Sequence, residues 1–237
     1  GFQIIYDANV IIDRSETEVS GMNDEQQILI QAEAKFFRAY MYNLMANIFG
    51  GVPLVLKEIK TPKRDFVRAS RKEVYEQCVE DLNFAKDNLP DIDEAAESRI
   101  NKLAASHVLS EVYISLERWQ DAINEATKVI DHPATALMIK RFGNKYSDVE
   151  KFGWYKEGEY DAENYGDVYN DLFVPGNQDR YMGNTESIWV LQYEYNVEGG
   201  GDRKYELERF VCPNLDRSAV IQSDGSTSPI LASPNTY

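Results

Sequence analysis

Cysteine is nearly missing from this chain: Cys78 and Cys212 are the only two among 237 residues, and no CxxC spacing occurs. That is too few for a disulfide scaffold, and it suggests neither a redox pair nor a zinc site. Cys78 falls on an apolar helical stripe and reads as core. Histidine is equally scarce. His107 sits on a helix beside Ala104-Ala105-Ser106 and His132 precedes Pro133 at a helix end, and neither joins a visible Ser-His-Asp or HExxH arrangement. Basic charge is short as well, with 25 lysines and arginines against 40 aspartates and glutamates and a formal charge of -15. Such a chain repels phosphate backbones and offers no broad basic face to nucleic acid or anionic lipid. No apolar run approaches the roughly 18 residues that span a bilayer. The N-terminus "GFQIIYDANV" lacks the basic start and apolar stretch of a secretory signal, which leaves an intracellular protein or a chain that begins downstream of its address. The glycine runs Gly50-Gly51 and Gly199 to Gly201 lack the strand-to-helix context of a phosphate cradle.

What is present is helix. Hydrophobic residues make up 43% of the chain, enough to bury a sizeable core. "YDANVIIDR" is the first helical signal, and an Asn-x-x-Gln start at Asn23 and Gln26 opens a longer helix. Along it Ala34, Phe37, Met41, Leu44 and Ile48 recur at three- and four-residue steps and predict a core-facing stripe. Gly50 stands where a helix ends, and Pro53 cannot rejoin the ladder. The apolar run that follows predicts an extended arm with Val52, Leu54 and Leu56 alternating toward the core.

A second capping box, Ser70 with Glu73, opens a helix with Val74, Cys78, Leu82, Ala85 and Leu89 on one face, closed by Pro90. Two short helices follow around a Leu116-Glu117-Arg118 turn. Ala105, Val108, Leu109, Val112 and Tyr113 mark the inner face of one, and Ala122, Ile123, Ala126 and Ile130 that of the other. Leu109, Ser110, Tyr113, Trp119, Ala122 and Ala126 stand at spacings close to a tetratricopeptide unit, which needs stacked neighbours to bury its faces.

Beyond Pro133 Gly, Asn, Asp, Tyr and Trp dominate, and helical periodicity returns only at "YGDVYNDLF". "TESIWVLQYEYN" alternates and predicts a short strand, while the tail "QSDGSTSPILASPNTY" is turn chemistry. The expected architecture is all-α, with a helical scaffold over 1–135 and a loop-rich, aromatic region over 136–237 of the same domain.

Four blocks now carry a resemblance. "AEAKFFRAYMYNLMANIFGGVPLV", "RASRKEVYEQCVEDLNFAKDNLP", "SRINKLAASHVLSEVYISLERWQDAINEATKVID" and "DLFVPGNQDRYMGNTESIW" occur in the order typical of the SusD/RagB family, which the chain resembles over roughly residues 1 to 195. The resemblance implies tetratricopeptide-like hairpins in a SusD-like α-α superhelical scaffold. It also implies a lipoprotein at the surface of the outer membrane that binds glycans for nutrient uptake as partner of a SusC-like TonB-dependent transporter. Against that family pattern the chain reads as a fragment, without the lipid-bearing N-terminal segment and the C-terminal part.

Sugar binding needs flat aromatic faces ringed by amide, carboxylate or guanidinium groups. Residues 152 to 181 have that composition, and Trp154, Tyr155, Tyr160, Tyr165, Asn177, Arg180 and Tyr181 are the candidate ligand contacts. The plainer alternative is that these aromatics pin a long loop to the scaffold. Trp189 and Ile188 read as core, Tyr40, Tyr42, Tyr75 and Tyr113 as packing between helices, and Arg38 between core aromatics as a paired structural cation. The acids Glu157, Glu159, Asp161 and Glu163 read as a solvated face rather than a glycosidase pair. No enzyme, cofactor or metal is expected; the acidic stretches "NKYSDVE" and "YDAENYGD" lack EF-hand spacing. A second reading from another class is a tetratricopeptide scaffold that holds a protein partner.

Overall fold

Four of the helix starts among the described residues are written into side chains. The computed structural model describes residues 1–16, 19, 21–96, 99–144, 167–174 and 176–190. These all belong to one compact unit, and the second unit, 145–166 with 191–237, lies outside them. Among the described residues six α-helices follow one another: α1 (Phe2–Ser15), α2 (Asp24–Phe49), α3 (Arg71–Asn88), α4 (Lys102–Ser115), α5 (Trp119–Ile130) and α6 (Val168–Asp171). Both expected capping boxes form: the Asn23 side chain accepts from Gln26 N and Ser70 from Glu73 N, with each third residue bonding back. Asn101 caps α4 through Ala104 N, and Asp167 with Asn170 builds a further box on α6.

Each of the first four helices packs on the next, as an α-α array of hairpins requires. Among the described residues the only β pairing is one antiparallel bridge, Pro53 with Arg68. The strand expected at "TESIWVLQYEYN" does not form over residues 185–190; the rest of that stretch lies outside the described residues. Backbone there is held by side chains instead, beginning with the bond from Asn101 Nδ2 to Ile188 O, 2.9 Å.

The α3 and α4 stripes face inward as expected, with Val74, Cys78, Leu82, Ala85 and Leu89 and the five α4 residues all buried. Two stripes differ. In α2 Ala32, Phe36, Ala39, Tyr42 and Ala46 are buried; of the expected stripe Ala34 is buried with Ala8 and Ile12, Phe37 and Met41 pack half-buried against the core, and Leu44 and Ile48 are 46% and 62% exposed. Alanines at seven-residue steps let α1 and α3 approach closely on either side, a preference that a hydrophobicity pattern does not register. In α5 the inner face is Ala122, Glu125 and Val129, and Ile123 and Ile130 point outward. Glu125 is held inside by Lys86 of α3 at 2.9 Å and Lys128 at 2.7 Å. Between α4 and α5, Leu116-Glu117-Arg118 is the turn, and the Arg118 guanidinium lies 4.4 Å from the centre of the Tyr113 ring.

The two glycines after α2 answer two separate demands. Gly50 has φ of 74°, a left-handed value that side chains resist. A Cβ on Gly51 would lie 2.1 Å from the Ala69 carbonyl oxygen, so the returning chain can cross only over a glycine. Arg68 then donates to the carbonyls of Phe49 and Gly51, giving the C-terminus of α2 a cationic partner. The apolar run beyond is the expected arm. Val52 is buried, and Leu54 and Leu56 pack half-buried against the core.

An arm without helix or sheet must find other partners for its backbone. It finds them in a buried polar knot around Arg38. Arg38 Nε and Nη2 donate to both oxygens of Asp81 at 2.7 Å, and Nη1 reaches Asn9 Oδ1 at 2.8 Å and Leu56 O at 3.2 Å. Asn9 Nδ2 donates to Val55 O at 2.7 Å, and the Tyr42 hydroxyl accepts from Val55 N at 2.7 Å. Arg38 and Asp81 are 5% and 0% exposed, so water cannot replace either partner. At the rim, Asp13 Oδ2 accepts from Glu58 N at 2.7 Å and Oδ1 from Lys57 Nζ at 2.9 Å. Burial opposes the charge on Asp13, but the Glu58 amide and Lys57 more than offset it, leaving its carboxyl below the ordinary 3.8.

Two predictions come from this knot. Arg38→Met or Asp81→Leu alone is expected to lower stability by roughly 3–5 kcal/mol, because each leaves one buried charge unpaired. The double variant should lose less than the sum, which a double-mutant cycle by urea unfolding measures. Asp13 stabilises the fold above pH 3.8, and that contribution is lost as pH falls through its lowered folded value. The stability gap between wild type and Asp13→Asn should therefore narrow as pH falls below the ordinary 3.8 in urea titrations.

Candidate ligand-binding region

Residues 134–144 and 167–190 form an irregular layer whose backbone is tied together by side-chain amides and one guanidinium. Asn177 is its centre. Fully buried, it accepts from Asn144 N at 2.7 Å and donates to Asn144 O at 2.7 Å and Asp171 O at 2.8 Å. One amide thus fastens Asn144 and the helix that begins after Asp167, the two ends of the 145–166 segment. Gly143 permits the approach: its φ is 57°, and a Cβ there would lie 2.3 Å from Asn177 Oδ1. Asn184 Nδ2 donates to Asn177 O at 2.8 Å, while its Oδ1 accepts from the amides of Glu186 and Ser187.

Arg180 is a second fastener, donating to Ala134 O at 2.7 Å and Ser187 O at 3.1 Å. Asp171, 1% exposed, accepts from Arg141 Nε and from Phe142 N, and this bond raises the guanidinium's hold on its proton. Trp189 returns to the scaffold and meets Phe36, Phe37 and Tyr40 edge-on at 5.7, 6.1 and 6.0 Å. The core reading of Trp189 and Ile188 holds.

Of the candidate contacts, Trp154, Tyr155, Tyr160 and Tyr165 lie outside the described residues. Asn177 and Arg180 have the positions just given, bonded to backbone; Tyr181 is 71% exposed on a 3-10 turn, Arg180–Met182. The layer also displays two aromatics that reading the sequence passed over. Tyr169 and Phe173 are each 67% exposed, with ring centres 5.0 Å apart. Their i, i+4 spacing behind the Asp167-x-x-Asn170 box was the available signal.

Catalytic arrangements find little support. Ser106, His132 and Asp91 line one hollow between α3, α4 and α5. Yet His132 Nε2 faces Asp91 at 3.2 Å and Nδ1 accepts from Ala134 N at 3.2 Å, so no ring nitrogen is left to take a serine proton. Burial pushes the Cys78 thiol far up, away from a nucleophilic thiolate. His107 is exposed beside Glu111. Among the described residues no three acidic, histidine or cysteine side chains gather as a metal site, and no helix is long and apolar enough to cross a membrane.

The family described as "Starch-binding associating with outer membrane" matches residues 1–114. A SusD-like protein of Formosa agariphila, P25, is 28% identical over 204 residues, covering 84% of this chain and 32% of that protein. These matches support a SusD/RagB-family protein. Its fold agrees: a SusD-like protein structure from Bacteroides fragilis superposes with a TM-score of 0.61 at 22% identity, over 83% of this chain and 33% of that one. A laminarin-binding SusD-like protein superposes with a TM-score of 0.52 at 27% identity, over 59% of this chain and 32% of that one. The chain spans about a third of the length of these relatives.

If Asn177 fastens both ends of the 145–166 segment, Asn177→Ala should loosen that fastening locally. Limited proteolysis is expected to cut between Asn144 and Asp167 at least about fivefold faster, while the melting of the helical scaffold changes little. Equal cleavage rates would show that the amide does not hold these ends.

Proposed function

We propose that this chain is part of a non-catalytic glycan-binding protein of the cell surface. In this reading residues 1–135 are the scaffold and 136–237 the ligand-binding part of one SusD-like domain. The protein sits on the outer membrane as a lipoprotein and delivers an oligosaccharide to a SusC-like TonB-dependent transporter. The observation that carries the reading is the exposure of Tyr169, Phe173 and Tyr181 on a layer whose own polar groups are bonded inward. Rings fixed this way present flat faces to the C–H side of a pyranose at small entropic cost. The match to a starch-binding family and the likeness to a laminarin-binding protein support glycan as the ligand class.

Within this reading Tyr169, Phe173 and Tyr181 stack against sugar on the described layer, and Trp154, Tyr155, Tyr160 and Tyr165 are further candidate contacts. Asn177 and Arg180 act mainly by holding the layer that carries them. A second reading, a tetratricopeptide scaffold for a protein partner, is favoured by one observation. The α5 face exposes Trp119, Ile123 and Ile130 at 58%, 56% and 73%.

Calorimetric titration with a panel of α- and β-glucan, xyloglucan and mannan oligosaccharides tests the proposal. Binding of at least one is expected, weakened about tenfold by Trp154→Ala or Tyr155→Ala and about threefold or more by Tyr169→Ala with Phe173→Ala. Unchanged affinity in all three variants sinks the site assignment. No binding by the full-length protein sinks the glycan reading.

A further inference from the structure

The formal charge of -15 conceals a local reversal. Between Lys57 and Lys72 seven basic side chains stand against two acidic ones, all but Glu58 exposed. The reversal coincides with the excursion that separates α2 from α3. Its base is closed by the Pro53–Arg68 bridge, by Ala69 N donating to Val52 O at 3.0 Å, and by Arg68 on the α2 carbonyls. Lys57 is committed at that base to Asp13 and Glu16. The outer part of the excursion carries Lys60, Lys63 and Arg64, and beside them Phe66 and Val67, 44% and 83% exposed. The Lys63 ammonium lies 5.7 Å from the centre of the Phe66 ring.

Cations collaring an exposed aromatic and aliphatic pair are the chemistry of a segment that rests in a headgroup layer: apolar tips enter the acyl boundary and long basic stems reach the anions. An acidic protein patch would satisfy the lysines but gives a projecting Val67 less to bury in. The acidic remainder of the chain is repelled by the same surface, which turns the loop toward it.

We propose that the 57–68 excursion is a membrane-docking loop, with Phe66 and Val67 entering an anionic lipid surface and Lys60, Lys63 and Arg64 meeting its phosphates. It orients the protein on the bilayer and acts as a second, reversible contact beside any covalent anchor. Flotation of the chain with vesicles of phosphatidylcholine alone, or with about 30% phosphatidylglycerol, tests this without any sugar, so it fails or succeeds apart from the glycan reading. Binding is expected only to the anionic vesicles, falling about fivefold or more with Lys63→Glu and Arg64→Glu together and at about 0.5 M salt. Fluorescence of Phe66→Trp should shift to the blue on those vesicles. Absence of binding to either vesicle, equal binding to both, a charge-reversed variant that binds as wild type, or an unshifted Phe66→Trp emission overturns the proposal.

Discussion

The fold turns on one guanidinium. Arg38 projects from α2 and, within one buried volume, meets Asp81 of α3, Asn9 of α1 and the Leu56 carbonyl of the arm. Four segments are thereby fixed by a planar fork whose bond directions admit little slack. A lysine could not reproduce this, since it offers a single ammonium with no parallel pair for the Asp81 carboxylate. The knot also explains how an irregular arm can run inside a helical core. The backbone groups of Val55 and Leu56 find partners in Asn9, Tyr42 and Arg38, so the chain can leave α2 at two glycines and still be buried.

The same device recurs at other irregular stretches among the described residues. Asn9, Asn101, Asn177 and Asn184 are all buried, and each donates its amide to a carbonyl of irregular backbone. An asparagine side chain carries the donor and acceptor of a peptide group on a short stem, so it can stand in for the strand that is absent. The layer over 134–144 and 167–190 is built this way from top to bottom. Its order depends on a few satisfied amides rather than on a ladder, and losing one leaves several groups without partners.

Much of the fold was legible because its signals are local. Capping boxes at Asn23 and Ser70, the stop at Gly50 and the Leu116-Glu117-Arg118 turn are each decided within a few residues, and the structure has them where the sequence places them. Pairing for Arg38 was also foreseeable, because an unpaired cation among aromatics is untenable. The faces of α2 and α5 were not. Which side of a helix is buried depends on how near its neighbours come, and here closeness favours Ala39, Ala46 and Ala122 over the larger Leu44, Ile48 and Ile130. The candidate site divides along the same line. Composition located an aromatic stretch, but the inward bonding of Asn177 depends on Asn144, thirty-three residues away, and no spacing announces it.

That division has a functional consequence. Of the residues that hold the layer, Asn177, Asn184 and Arg180 bond to backbone, and Asp171 joins the Phe142 amide to the Arg141 side chain, so these bonds do not involve the rings displayed outward. Tyr169, Phe173 and Tyr181 can change without disturbing them, and stacking surfaces can be exchanged while the platform stays fixed. Under the proposed glycan reading, backbone-directed fastening lets the displayed rings vary while the platform is kept. A ring presented by a fixed backbone has only its two side-chain torsions left to settle, so less of the stacking energy is lost to ordering when the ligand arrives.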